Sequence, residues 1–543
     1  MSILRNVFAR RPYAAALLLV TLAALPTLRF VFDAQWMWID DQLVFDRQLW
    51  PLYSEGQLAN RAQGRDFTWH GLYYEAVGLL FGRAPVSYYF ATFVLQYLLL
   101  AAGILLVAAS TGSTLACLIF AVTAMLSSTG PEVFLTLTKS ELRLSLFFIL
   151  MLLSLTQLLR TDGREAVGFA LLLVTTVLSG ILGKETFLIL PIALLLVTGL
   201  AFILQRAFTL ECRRRLLLGS IAACAGMAVV FAQRWYFGVA GAREGSYTAM
   251  IMSQGFDLAA ILGRVQNYIF HLKEFFALWL LALLLCLGTL LFAAVRRRPL
   301  DAATVIGVVA LIASTGYMAM LIGLVTFVTV YYMFPPAMLT SVALACLIDW
   351  RQIRTVEGPR SAVLGILAQR GVGLVAVVLA ILAAPLTLLR LHTQSYVRSA
   401  DASLFQALSR LPRASIVALP FQPDAEMVGN LSLLMRDVLQ RGDLVIRALP
   451  MAGETVAAPH YAVLLHDLGE NWMLGVRGAA HGPRARQLAL FTASGTTLDC
   501  PVMQQVRPPD RWRVWRLGTS MVVDFTYGWE IHRVNRDGDM ACG

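Results

Sequence analysis

Apolar runs long enough to cross a hydrocarbon core recur along the first three quarters of this 543-residue chain. A helical crossing needs roughly 20 residues. Eleven such runs are read, near residues 13–31, 86–109, 113–130, 142–159, 166–183, 186–205, 216–233, 275–295, 302–322, 324–348 and 371–390. Hydrophobic residues make up 58% of the chain and charged residues 14%, a balance that no single water-facing core accounts for. The expected fold class is mainly α: a polytopic helical membrane protein of about 11 transmembrane helices, with a C-terminal α/β domain.

Orientation follows from basic residues in short loops, which resist translocation. Arg5, Arg10 and Arg11 precede the first run. With the N-terminus cytoplasmic, alternation puts Arg160 with Arg164, Arg206 with Arg213–Arg215, Arg296–Arg298, and Arg351, Arg354, Arg360 and Arg370 on the cytoplasmic side. An odd number of spans then exports the tail. Residues 1–391 are expected to form the membrane domain and 392–543 an extracytoplasmic (periplasmic) domain. A cleaved signal peptide is the alternative at the N-terminus, but no small-residue cleavage site follows Pro26. The formal charge of +11 is mostly this topology signal, so no nucleic-acid partner is expected. Heavy use of arginine over lysine fits a bacterial source and hence a bacterial cytoplasmic (inner) membrane.

Of the seven cysteines, Cys500 and Cys542 alone fall in the exported tail, where an oxidising compartment allows a disulfide; two free thiols are the alternative. The tail reads as a small α/β domain, with an amphipathic helix over 402–411 and apolar runs at 415–419, 444–449, 461–465, 488–492 and 521–525. Arg511, Trp512, Arg513, Trp515 and Arg516 suit either an anionic glycan or an alternating strand with one solvated face.

The first outer loop, about residues 32–85, joins acids to aromatic rings. Asp40 and Asp41 stand among Trp36, Trp38, Trp50, Trp69, Tyr73 and Tyr74, with His70 nearby. Sugars stack on such rings, and rings also anchor membrane proteins at headgroups. An acidic pair at the outer lip of a bundle is a candidate reaction centre.

Lysine is scarce, three residues against forty-one arginines, and Lys139, Lys184 and Lys273 all fall on the outer side. Each has an acid close in sequence: Glu141, Glu185 and Glu274. Ion pairs at span ends are one reading, and a shared anionic ligand is the other, since an ammonium binds phosphate as a compact point charge. Charge facing lipid costs a few kcal/mol per residue. Glu132, Lys139, Glu141 and Arg143, around the start of the fourth span, are therefore expected to face a cavity.

The I-D-D-Q of the first outer loop, its ending L-Y-Y-E-A-V-G-L-L-F-G, the K-E-T-F-L-I-L-P junction and the Y-Y-M-F-P-P-A-M-L of the tenth span together resemble the polytopic GT-C glycosyltransferases. The resemblance is to the branch of protein O-mannosyltransferases and lipid A aminoarabinose transferases, and it covers most of the membrane region. It implies that Asp40 acts as base with Asp41 in support, and that Lys184 contacts a lipid phosphate. The chain departs from the pattern in two places. Thr68, Trp69, His70 and Gly71 replace a proline-rich stretch, and Val330 and Tyr331 stand where a basic residue is common.

An outer-face site has no nucleotide-activated sugar, so the donor must be carried in the membrane, and a polyprenyl phosphate sugar fits. Lys184, with Lys139, Lys273 or Arg243, would offset charge on the departing phosphate. Asp40 would take the acceptor proton, with His70 as the alternative base. Glu185, Glu132, Glu141, Arg143, Trp69, Tyr73 and Tyr331 complete the expected substrate-binding set. The acceptor is a cell-envelope glycan, lipid or protein. Clustered acids leave room for a divalent metal, but no ligand spacing specifies one. The alternatives are a lipid-linked sugar transporter or flippase, which predicts internal repeats, an O-antigen polymerase or ligase, and a membrane scaffold.

Overall fold

The computed structural model describes residues 11–36, 41, 44, 68–137, 139–160, 163, 165–237, 257–296, 298–324, 330–348, 359–420, 426–448, 459–466, 484–494, 496–506, 510–517, 519–525 and 528–535. A helix stands at each of the eleven expected span positions. In chain order these are α1 (Ala14–Phe32), α3 (Pro85–Thr111), α4 (Thr114–Met125), α6 (Glu141–Leu159), α7 (Glu165–Leu182), α8 (Ile189–Ile203), α9 (Leu210–Tyr236), α10 (Leu258–Arg296), α11 (Ala302–Leu324), α12 (Phe334–Ile348) and α13 (Pro359–Ser409). Between them lie α2 (Thr68–Phe81) and the short α5 (Gly130–Leu135).

Nine helices among the described residues are long and apolar enough to cross a membrane. The count of eleven is not reached, because α4 has 12 residues and the apolar part of α1 is Ala14–Leu25. At 1.5 Å per residue, α4 covers about 18 Å of a hydrocarbon core about 30 Å thick. Its start is fixed locally: Gly112 takes a left-handed φ of 60° that ends α3, and the Ser113 hydroxyl accepts from the Ala116 N–H to cap α4.

Helix α12 is the centre of the bundle. All 15 of its residues are buried, as expected of a helix that is apolar all round. It packs against α3, α4, α6, α10 and α11. Its start falls ten residues later than the run beginning at 324 suggests. Pro335 and Pro336 fit only a first helical turn, where their missing N–H groups have no intrahelical acceptor to lose. A 3-10 turn, Val330–Met333, precedes it and carries Tyr331 and Tyr332. Pro191 likewise sits in the first turn of α8, behind a 3-10 turn at Glu185–Leu188.

Helix α13 runs unbroken past residue 391, the expected domain division, and ends at Ser409. The helix expected at 402–411 is its last turns. Beyond it, β1 (Ile416–Leu419), α14 (Glu426–Leu433), β2 (Val445–Ala448), β3 (Tyr461–His466), α15 (Arg484–Ala493), β4 (Thr497–Val506), β5 (Asp510–Arg516), β6 (Thr519–Phe525) and β7 (Gly528–Asn535) follow. The apolar run at 488–492 is helical, inside α15. A five-stranded sheet has the order β2-β1-β3-β7-β4, parallel across β2-β1-β3 and antiparallel across β3-β7-β4. Strands β5 and β6 form a separate two-stranded hairpin. The core of the sheet domain joins Val417, Leu419, Val463, Leu465 and Ile531 to Leu404 and Leu408 of α13, so the last turns of a membrane helix serve as its inner wall. Cys500 is disulfide-bonded; Cys542, its expected partner, lies outside the described residues.

Candidate functional site

Helix α6 carries opposite kinds of charge at its two ends. At its last turn, Arg215 of α9 donates to the Leu159 carbonyl at 2.9 Å and pairs with Glu211 and Glu165 at 2.7 and 3.0 Å. At its first turn stand Glu141 and Arg143, among the acids and lysines expected at the outer face. A membrane bundle tolerates such groups only where they meet one another or a polar chamber.

The Lys184 Nζ donates to Glu141 Oε1 at 2.5 Å, and the Glu141 side chain has no exposure. Lys139 Nζ lies 3.7 Å from Glu132 Oε1 and 3.7 Å from the centre of the Tyr331 ring. Lys184 lies 4.3 Å from the Tyr332 ring centre. The two lysines therefore meet over the Val330–Met333 turn, each with a carboxylate and a phenol. Burial alone would lower the Lys184 ammonium, but Glu141, with Tyr332 and Tyr317, more than offsets it and holds the group above its ordinary value. A Lys184→Met change leaves the Glu141 carboxylate buried without its ammonium. Discounted for the 31% exposure of the Lys184 side chain, the expected cost is about 2–4 kcal/mol, and adding Glu141→Gln should return most of it in a denaturation midpoint.

Arg143, 6% exposed, stacks its guanidinium over Tyr73 and Tyr74 at 4.9 and 5.5 Å. Its Nε and Nη2 have no hydrogen-bond partner, and neither has Glu141 Oε2. Burial pushes the Tyr73 hydroxyl up to about 12, with Arg143 acting against that rise, so the ring stays a neutral phenol. The Tyr74 hydroxyl donates to the Leu137 carbonyl at 2.6 Å, fixing α2 against the strand-like link before α6.

Asp41 lies on the other side of these rings. It is fully buried and accepts from the Tyr89 hydroxyl at 3.1 Å. Tyr88, Tyr89, Tyr74, Val44 and Leu137 share one apolar cluster, and the Tyr74 and Tyr88 ring centres are 6.4 Å apart. These rings connect Asp41 to Arg143, and the first turn of α6 carries both Arg143 and Glu141, the partner of Lys184. An apolar cavity of about 500 Å³ has Tyr89, Phe93, Phe134, Leu135 and His392 in its walls.

Two arginines, Arg398 and Arg390, escaped the sequence reading, and a third, Arg516, entered it only within the 511–516 set. Arg398 of α13, within the expected tail, donates to the Phe30 and Leu135 carbonyls at 3.0 and 2.9 Å and lies 4.1 Å from the Tyr89 ring centre. It braces the tyrosine that holds Asp41. Arg390 of α13 donates to the Ser128 carbonyl at 2.5 Å and lies within electrostatic reach of Glu132, Glu274 and Arg516. Arg516, at the tip of the β5–β6 hairpin, makes a bidentate pair with Glu274 at 3.0 and 2.8 Å. Nothing in the local sequence marks these three except that they are cations near apolar segments.

Lys273 is half-buried on α10 beside the Glu274–Arg516 pair. The chain breaks helical geometry at Leu272, with φ −132° and ψ 32°. Glu274 makes its hydrogen-bonded ion pair with a residue 242 positions away and also acts electrostatically on Lys273. In β5, Arg513 and Trp515 are exposed while Val514 and Arg516 are buried, which is the alternating strand. Asp40 and Arg243 lie outside the described residues, as do the side chains of Trp69, His70, Glu185, Arg511 and Trp512. Among the described residues no group of three or more His, Cys, Asp or Glu is placed to hold a metal.

No family model matches the chain, and no curated protein matches it. Among solved structures it is similar to ArnT from Cupriavidus metallidurans in the apo state, with a TM-score of 0.47, 10% identity and coverage of 94% of this chain and 97% of that one. The same protein bound to undecaprenyl phosphate gives 0.45, 11%, 94% and 97%. The oligosaccharyltransferase of Archaeoglobus fulgidus in the apo form gives 0.45, 12%, 88% and 72%. These neighbours are GT-C membrane glycosyltransferases, the class that the acidic pair and the K-E-T-F-L-I-L-P and Y-Y-M-F-P-P-A-M-L segments resemble.

Proposed function

We propose that this chain is a membrane glycosyltransferase that moves a sugar from a polyprenyl phosphate-linked donor to a cell-envelope glycan, lipid or protein acceptor at the outer face of the cytoplasmic membrane. The observation that carries the reading is a fully buried carboxylate, Asp41, in the ring cluster of Tyr74, on which Arg143 stacks, with Glu141 in the same helical turn as Arg143 and paired with Lys184. A carboxylate and cations held near aromatic rings suit a displacement that gains a proton at one end and negative charge at the other.

The acceptor oxygen attacks the anomeric carbon and gives its proton to Asp40. The bond from that carbon to the phosphate oxygen breaks, and its electron pair leaves on the phosphate. One such displacement inverts the anomeric centre. Asp41, held in place by the Tyr89 hydroxyl, helps align the acceptor. The cationic cluster offsets the charge that develops on the phosphate, a contribution worth most where water is excluded. Tyr73 and Tyr331 supply ring faces for the sugar, and the apolar cavity beside Tyr89 offers a hydrocarbon chain a place next to the carboxylate.

Native mass spectrometry of the protein extracted from bacterial membranes tests the donor class. The expected adduct is a polyprenyl phosphate or its sugar conjugate, retained through detergent exchange. Retention of bulk phospholipid alone, with added undecaprenyl phosphate failing to displace it, would remove the donor assignment.

A further inference from the structure

Charge pairing separates the cations of the chamber into two kinds. Lys184 has Glu141 at 2.5 Å and Lys139 has Glu132 at 3.7 Å, so each ammonium already faces a carboxylate. Arg143 has none. Its guanidinium is buried, its Nε and Nη2 meet no acceptor, and the contacts it does make are the two phenol faces of Tyr73 and Tyr74. A buried cation without an anion is costly to keep, and ring faces offset only part of that cost. An anionic ligand would complete this imbalance.

We infer that Arg143 is the seat of the phosphate, and that Lys139 and Lys184 are positioning residues that hold Glu132 and Glu141 in place around it. This rests on the glycosyltransferase reading and sharpens it. The ligand chemistry is a lipid-linked phosphate. A guanidinium's planar fork presents two parallel N–H groups to two phosphate oxygens, which an ammonium cannot do. The free Nε and Nη2 are members of that fork. Tyr73 and Tyr74 fix the plane, so little side-chain entropy is lost on binding. The seat is the Tyr73–Tyr74 ring pair, and Tyr74 shares its apolar cluster with Tyr89, the partner of Asp41.

The test uses the full chain in phosphatidylcholine nanodiscs and three probes: farnesyl phosphate, farnesol and inorganic phosphate. Wild type is expected to bind farnesyl phosphate well above farnesol and inorganic phosphate, and to gain thermal stability on binding. Arg143→Gln should weaken farnesyl phosphate at least tenfold and abolish the thermal gain. Its unliganded midpoint should be equal to or above that of wild type, because an uncompensated buried charge has gone. Arg143→Lys should fall between the two. Arg83→Gln, which removes an exposed cation paired with Glu75 at the end of α2, should bind within twofold of wild type.

Several results overturn the inference. Retained binding in Arg143→Gln, with loss in the neutral pair variant Lys184→Gln/Glu141→Gln, would move the phosphate to Lys184 and leave the donor reading intact. A collapsed midpoint in unliganded Arg143→Gln would make Arg143 structural. Inorganic phosphate binding as tightly as farnesyl phosphate would remove the lipid from the assignment. Equal binding of farnesyl phosphate and farnesol by wild type would end both the inference and the reading beneath it.

Discussion

Asp40→Asn is expected to reduce sugar transfer about 10²- to 10⁴-fold, the usual contribution of a positioned general base, while the folded protein keeps its unfolding midpoint. Asparagine preserves the volume and the hydrogen-bonding of the side chain but cannot accept the acceptor proton. The companion change Asp41→Asn should have a smaller effect, since the Tyr89 hydroxyl that donates to Asp41 at 3.1 Å still finds a carbonyl oxygen there. The measurement is a transfer assay in proteoliposomes with a polyprenyl phosphate sugar. A lipid-sugar carrier or a scaffold would be indifferent to the change, so activity within threefold of wild type would exclude Asp40 as base.

Breaking the Glu274–Arg516 pair is expected to be the most costly single change to stability. Arg516 uses its guanidinium almost completely. It donates to both oxygens of Glu274 and to the Phe270 and His271 carbonyls at 2.8 and 3.1 Å, just before the non-helical Leu272. The hairpin arginine therefore caps a break in a membrane helix. Arg516→Gln leaves a carboxylate with no exposure without its counter-ion, a situation that costs about 3–5 kcal/mol. Replacing both partners by apolar residues, Arg516→Met with Glu274→Leu, should recover most of that loss, because no charge is then stranded. Denaturant midpoints report both effects, and protease susceptibility of residues 510–525 reports release of the hairpin. A loss below about 1 kcal/mol in the single variant would show the pair to be hydrated and unimportant.

Local sequence was informative wherever one physical constraint dominated. Apolar run length placed a helix at each expected span, because a backbone in lipid has few other ways to satisfy its hydrogen bonds. The scarcity of lysine and the cost of charge in a bilayer singled out Glu132, Lys139, Glu141, Arg143 and Lys184, and these do converge over Tyr331, Tyr332, Tyr73 and Tyr74. Proline accounts for the late start of α12, though only as a rule about first turns and not as a position readable from hydropathy.

Partnership was a different matter. Sequence neighbours suggested Lys139 with Glu141, Lys184 with Glu185 and Lys273 with Glu274. The fold pairs Lys139 with Glu132, Lys184 with Glu141 and Glu274 with Arg516. Adjacent residues in a helix point some 100° apart, so sequence adjacency does not make an ion pair, and the true partners arrive from other helices or from the sheet domain.

The amino-acid order alone therefore determined that this chain is a bundle of apolar helices with a small α/β tail, and which charged residues are too expensive to face lipid. Tertiary structure decided which of those charges neutralise one another and which is left over. The reason is that a transfer cost belongs to a single side chain and is written in its identity. A salt bridge belongs to two, and their separation is set by how helices far apart in the chain come to rest against each other.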